Sequence, residues 1–76
     1  MIEPDKQYRI EPEEGYSTCY SADETMTWGE WKKNFVQVLS HDEDISWRHL
    51  MWLKSLPDED FMEEIELRYK CTFIEL

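Results

Sequence analysis

Glycine is scarce in this chain, and cysteine is equally rare. The glycines are Gly15 and Gly29, so the sequence cannot form the glycine-rich loop with which many proteins cradle phosphate groups. The cysteines, Cys19 and Cys71, are far apart and do not form the paired motifs that bind zinc. We expect both thiols to be reduced and buried; a disulfide between them would need an oxidising compartment.

Long apolar segments are also missing. No run approaches the ~18 apolar residues of a membrane-spanning helix. The first five residues, MIEPD, lack the basic start and apolar stretch of a secretory signal. A length of 76 residues is typical of one small domain, here residues 1–76. Together these features predict a single-domain cytoplasmic protein.

Positive charge is in short supply. Eight Lys and Arg residues stand against eighteen Asp and Glu residues, for a net charge of −10, and the acids cluster at residues 13–14, 23–24, 42–44, 58–60 and 63–64. A field of this sign repels nucleic acid and anionic membranes and attracts basic protein surfaces. We therefore expect a basic protein partner, without direct binding to nucleic acid or membrane.

Apolar side chains, in contrast, are plentiful. They make up 41% of the chain, and aromatic residues make up 14%. Disordered acidic chains are poor in aromatic residues, so we expect a folded core, although a domain of this size can bury only a limited part of its surface.

Two strands are predicted near the start of the chain. Residues 6–11 alternate apolar and polar side chains, with Tyr8 and Ile10 on one side, which is typical of a half-buried strand. Pro12 and Gly15 then favour a turn. Residues 16–21 alternate again, which predicts a β-hairpin.

Two helices and a final strand follow. Thr27 and Glu30 form a capping box, which predicts a helix from Trp28 to about Ser40. The same pattern from Ser40 to Glu43 predicts a second helix over residues 42–55, which Pro57 terminates. Strict alternation over residues 65–73 predicts the last strand.

These elements follow the order β-β-α-α-β. The economical packing is an α+β domain in which two helices cover one face of a three-stranded antiparallel sheet. The alternative is a mainly helical domain, in which residues 58–67 form a third helix with Phe61, Ile65 and Tyr69 as its apolar stripe.

No group of residues has a pattern specific for catalysis. His41 and His49 lie close to several acids, but their spacing matches no zinc or calcium motif. With eighteen carboxylates, a chance pair at a catalytic distance has no diagnostic value. A cysteine on an apolar strand face is typical of a core residue rather than a nucleophile. We therefore expect no enzymatic activity, no cofactor and no metal.

The second helix is apolar nearly all round, and a two-layer fold buries only one side of a helix. If Trp28, Trp31 and Trp52 point inward, then Trp47, Leu50 and Met51 remain at the surface, where exposed apolar area rimmed by charge marks an interface. The predicted partner-binding residues are this patch and the acidic runs on either side of it: Asp42, Glu43, Asp44, Trp47, Leu50, Met51, Asp58, Glu59 and Asp60.

The combination of small size, acidity and aromatic content resembles the small inhibitor proteins encoded by phages and mobile elements, including DNA mimics and anti-CRISPR proteins. The resemblance implies a non-enzymatic inhibitor that blocks a basic, nucleic-acid-handling host or defence protein, and it assigns no site residues. The alternative is a small cytosolic adaptor or homodimeric interaction module whose acidity only maintains solubility.

Overall fold

The computed structural model describes residues 2–17, 20–21 and 23–76. In chain order, the elements are β1 (Gln7–Pro12), β2 (Thr25–Thr27), α1 (Trp28–Ser40), α2 (Trp47–Ser55), α3 (Asp58–Tyr69) and β3 (Cys71–Glu75). The predicted α+β class is therefore confirmed, with one helix more than the sequence pattern indicated.

The sheet is antiparallel and has the strand order β2-β1-β3. Tyr8 of the central strand is opposite both Met26 and Glu75, and Ile10 is opposite Phe73. Tyr8, Ile10 and Phe73 are buried, whereas the alternating residues Glu11 and Thr72 are exposed. Period-two alternation thus leaves one face of the sheet for the core and the other for solvent.

The predicted last strand is wrong over its first half. Residues 65–69 belong to helix α3, as in the alternative reading of residues 58–67, and the strand begins only at Cys71. Phe61, Ile65 and Tyr69 are four residues apart, so they lie along one side of a helix. Lys70 ends that helix in the left-handed conformation, with φ of 53°.

The predicted second strand is also wrong. Thr18 and Cys19 lie outside the described residues, and the rest of residues 16–21 form no strand; the second strand is β2. The predicted turn is present, because the Tyr16 amide donates to the Glu13 carbonyl and Gly15 has φ of 86°. The Tyr20 ring packs edge-on against Trp31, with 4.8 Å between ring centroids, and this core contact replaces the expected strand pairing.

The start of α1 is as predicted. Thr27 Oγ1 accepts a hydrogen bond from the Glu30 amide at 3.2 Å, and Glu30 Oε1 accepts one from the Thr27 amide at 3.3 Å. Both members of the capping box are present, so backbone donors that the helix itself cannot satisfy have acceptors.

The start of the second helix differs from the prediction. Helix α2 begins at Trp47, and Ser46 caps it by accepting from the His49 amide at 3.1 Å. The expected start at Asp42 is wrong because Asp42 Oδ1 accepts from the Asp44 amide at 2.8 Å, which closes a local turn instead of a helix.

Aromatic rings fill the core between α1 and the sheet. Trp28, Trp31 and Phe35 each lie within 6.1 Å of the Phe73 ring, measured between centroids. The Trp31 indole N–H also donates to the Tyr8 carbonyl at 2.9 Å, which fastens α1 to the central strand. Such ring pairs contribute about 0.5–1.5 kcal/mol each beyond simple burial.

We expect Thr27→Ala to lower the free energy of unfolding by about 1 kcal/mol, because the first turn of α1 loses a hydrogen-bond acceptor. In a domain of this size the melting temperature would fall by roughly 4–8 °C. Thr25→Ala is the matched control, because Thr25 is exposed in β2 and caps no helix. Equal melting curves for the two variants would contradict the capping assignment.

Candidate interaction surface

Helix α2 lies at the edge of the core and presents most of its large side chains to solvent. Leu53 is its buried residue, whereas Trp47 is 74% exposed and Met51 is 42% exposed. The structure therefore places Trp47 and Met51 at the surface, as the sequence pattern predicts. Leu50 is instead half-buried and packs against the core.

Trp52 points outward, so the inward packing considered for Trp28, Trp31 and Trp52 holds only for the two tryptophans of α1. Its side chain is 49% exposed, and its ring lies 5.6 Å from the His49 ring. The core is already occupied by Trp28, Trp31 and Phe61, each with no exposed surface. No room remains for a third indole, so Trp52 joins Trp47 and Met51 in what we call the α2 patch.

The charge of α2 differs from that of the rest of the protein. Of the three described helices, α2 alone contains no Asp or Glu. It carries Arg48 and Lys54, which are both exposed and form no ion pair with any described residue. The α2 patch is therefore aromatic and locally basic inside a strongly acidic protein.

The acidic run at residues 42–44 contains one carboxylate that is paired within the fold and two that are free. Asp42 Oδ2 accepts from the Arg68 guanidinium at 2.7 Å. This bond, together with the Asp44 amide, holds the pKa of Asp42 below its ordinary value. Glu43 and Asp44 are exposed, and neither side chain has an ion-pair or hydrogen-bond partner in the part of the chain that the structure describes.

The acidic run at residues 58–60 likewise contains both paired and free carboxylates. Asp58 Oδ1 accepts from the Lys32 ammonium at 2.8 Å, which lowers the pKa of Asp58. Glu59 Oε1 accepts from the Ile2 amide at 3.2 Å. Asp60 is exposed, and no described residue pairs with its carboxylate. All three acids lie in the first turn of α3, where negative charge stabilises a helix.

The two runs stand at opposite ends of α3. Asp42 is paired with Arg68 in the last turn of that helix, and Asp58 lies in the first turn. Ten residues separate Asp58 from Arg68, a distance of about 15 Å along a helix. The predicted partner-binding acids therefore form two separate groups, and α2 connects them in the chain.

Sequence reasoning missed three residues of this surface: Trp52, Arg48 and Lys54. The sequence does contain a signal for Arg48 and Lys54, because residues 47–55 include basic residues and no acidic one. The sequence contains no such signal for Trp52. Apolar residues lie on several sides of α2, so the side that faces the core depends on which other residues fill the core.

The described residues were also compared with the requirements of a pocket, a metal site and a membrane span. They form no pocket, and they bring together no group of three or more His, Cys, Asp or Glu side chains that could hold a metal ion. Within residues 2–17, 20–21 and 23–76, no helix has the length and apolarity needed to cross a bilayer. Burial raises the pKa of the Cys71 thiol to about 11, so this thiol is covered and protonated at neutral pH.

Comparison with protein-family models, curated proteins and solved structures finds no match to this chain. Charge, exposure and contacts within the chain are therefore the observations on which a functional proposal can be built.

We expect Asp58→Asn to lower the free energy of unfolding at pH 7 by roughly 0.5–1 kcal/mol, because the pair with Lys32 is lost. The lowered pKa of Asp58 stabilises the folded state above the ordinary aspartate pKa, about 3.9, and this contribution disappears as pH falls through the folded-state pKa. The difference from wild type should therefore shrink in urea titrations below about pH 4.

Asp60→Asn is the matched control for this measurement, because Asp60 is exposed and close to Asp58 in sequence. A loss of stability that is the same for both variants, or that does not change with pH, would contradict a structural role for the Lys32–Asp58 pair.

Proposed function

We propose that this chain is a non-enzymatic inhibitor that binds and blocks a basic, nucleic-acid-handling protein. The observation that carries the proposal is the pair of exposed, unpaired carboxylate groups at the two ends of α3, contributed by Glu43 and Asp44 at one end and by Asp60 at the other. They belong to a protein with a net charge of −10.

The free carboxylates suit recognition of positive charge because they are not committed to the fold. Asp42 and Asp58 are held by Arg68 and Lys32, so they support the structure instead. An excess of uncompensated negative charge raises the rate at which a basic protein arrives, and electrostatic complementarity then favours the correct partner over others.

The separation of the two groups supports a DNA-mimic or anti-CRISPR type of inhibitor within this class. The helix ends beside which they lie, marked by Asp58 and Arg68, are about 15 Å apart along α3, which is comparable with the rise of four to five base pairs along one DNA strand. Carboxylates beside the two ends of helix α3 could occupy positions on a basic protein that phosphates otherwise occupy. As part of the same proposal we place the protein in the cytoplasm, since the Cys71 thiol is free.

The test begins with capture of the partner at low salt, followed by a binding assay with that purified partner. We expect the association rate and the affinity to fall by at least about tenfold between about 50 and 500 mM salt, because long-range attraction is screened. We also expect DNA to compete with this chain for the partner, since both use the same basic site.

Charge reversal locates the contact. Two double variants, Glu43→Lys with Asp44→Lys and Asp60→Lys with Glu63→Lys, change exposed carboxylates and leave the pairs of Asp42 and Asp58 intact. Glu13→Lys with Glu14→Lys is the control, with the same change in charge at the turn after β1. We expect at least one of the first two variants to bind much more weakly than the control.

If the affinity is independent of salt and both helix-end variants bind like wild type, the acidity serves only solubility and the proposal is wrong.

A further inference from the structure

The α2 patch is exposed apolar surface whose chemistry differs from that of the acidic surface around it. Trp47, Met51 and Trp52 supply the apolar area, and Arg48 and Lys54 supply positive charge. An occupant that suits this patch must offer apolar side chains to the indoles and carboxylates to the two cations. A strongly basic partner does not meet the second requirement.

A second copy of this chain offers indole rings for the apolar contact and, before its own α2, the free carboxylates of Glu43 and Asp44 for Lys54. We propose that the α2 patch is the interface of a two-fold homodimer in which the two α2 helices pack antiparallel. In such a dimer each surface meets its own copy, so the patch must be complementary to itself. An α2 helix with acids before its N-terminus and a lysine near its C-terminus has this property.

The antiparallel alignment brings opposite charges together. It places the C-terminal end of α2, with Lys54, beside the N-terminal end of the second copy's α2, where Glu43 and Asp44 are exposed and unpaired. The same alignment places Trp47 beside the second copy's Trp52. The ionic contact occurs twice in the dimer, at the two edges of the apolar contact, which is the usual arrangement of an interface rim.

Mutual repulsion of two acidic proteins opposes the dimer but does not prevent it. The Debye length is about 8 Å at 0.15 M ionic strength, so distant carboxylates are screened while contacting pairs are affected much less. A helix of nine residues is about 13 Å long and offers less than the roughly 800 Å² per partner of a standard interface. The dimer should therefore dissociate in the micromolar range rather than the nanomolar range.

Sedimentation equilibrium of the full chain at 0.15 M salt tests the proposal. We expect wild type to show a monomer–dimer equilibrium, and we expect Trp47→Glu to weaken it at least tenfold. Trp47 is 74% exposed, so this variant should remain folded, and its circular dichroism and melting curve verify this.

A charge swap provides the sharper result. Lys54→Glu and Asp44→Lys should each weaken the dimer, whereas the double variant, which has the wild-type net charge, should restore it. Lys33→Glu and Glu63→Lys are the matched controls, with the same charge changes at exposed positions on α1 and α3. They should leave the dimer within about twofold of wild type.

The dimer and the basic partner both use Glu43 and Asp44, but the two assays measure different complexes, so either proposal can fail without the other. If wild type is monomeric up to about millimolar concentration, the α2 patch has a different occupant and the second-copy proposal is wrong. It is also wrong if the double variant associates no better than either single charge variant.

Discussion

The indole rings of Trp28 and Trp31 occupy the centre of the core. A chain of this length forms one core of limited volume. Phe73 from the sheet and Phe61 from α3 complete the space around them, and the Trp31 indole bonds to the backbone of the central strand. Helix α2 can add little more than Leu53 to this core. The remaining aromatic residues of α2 are therefore surface residues, and the candidate interface is a direct consequence of how the core is packed.

The same packing determines which charges are free. Helix α3 is held at its two ends by the pairs Lys32–Asp58 and Arg68–Asp42, which use one carboxylate from each of the acidic runs at residues 42–44 and 58–60. Glu43, Asp44 and Asp60 add repulsion without an ion pair or hydrogen bond to any described residue, and repulsion of this kind destabilises a compact state. Free negative charge of this kind is what the proposed binding to a basic protein requires.

Local signals in the sequence predicted the fold well where a short motif decides the structure, as at the Thr27 capping box and the Gly15 turn. They failed where one pattern fits two structures. Ile65 and Tyr69 satisfy both a two-residue and a four-residue period, and contact with the core through the helix decided between them. Nor could the sequence show that Asp42 pairs with Arg68, because 26 residues separate them. The outward orientation of Trp52 depends on other rings filling the core, which no local pattern in the sequence shows.

The central claim is that the α2 patch lies outside a complete core. Fluorine NMR of dilute protein labelled with 5-fluorotryptophan tests it most directly, with Trp47→Phe and Trp52→Phe used to assign the four tryptophan signals. Solvent-exposed rings change chemical shift between H₂O and D₂O, whereas buried rings do not. We expect the shift for Trp47 and Trp52 and no shift for Trp28 and Trp31. Protected signals from Trp47 and Trp52 in the monomer would place α2 inside the core and contradict the account.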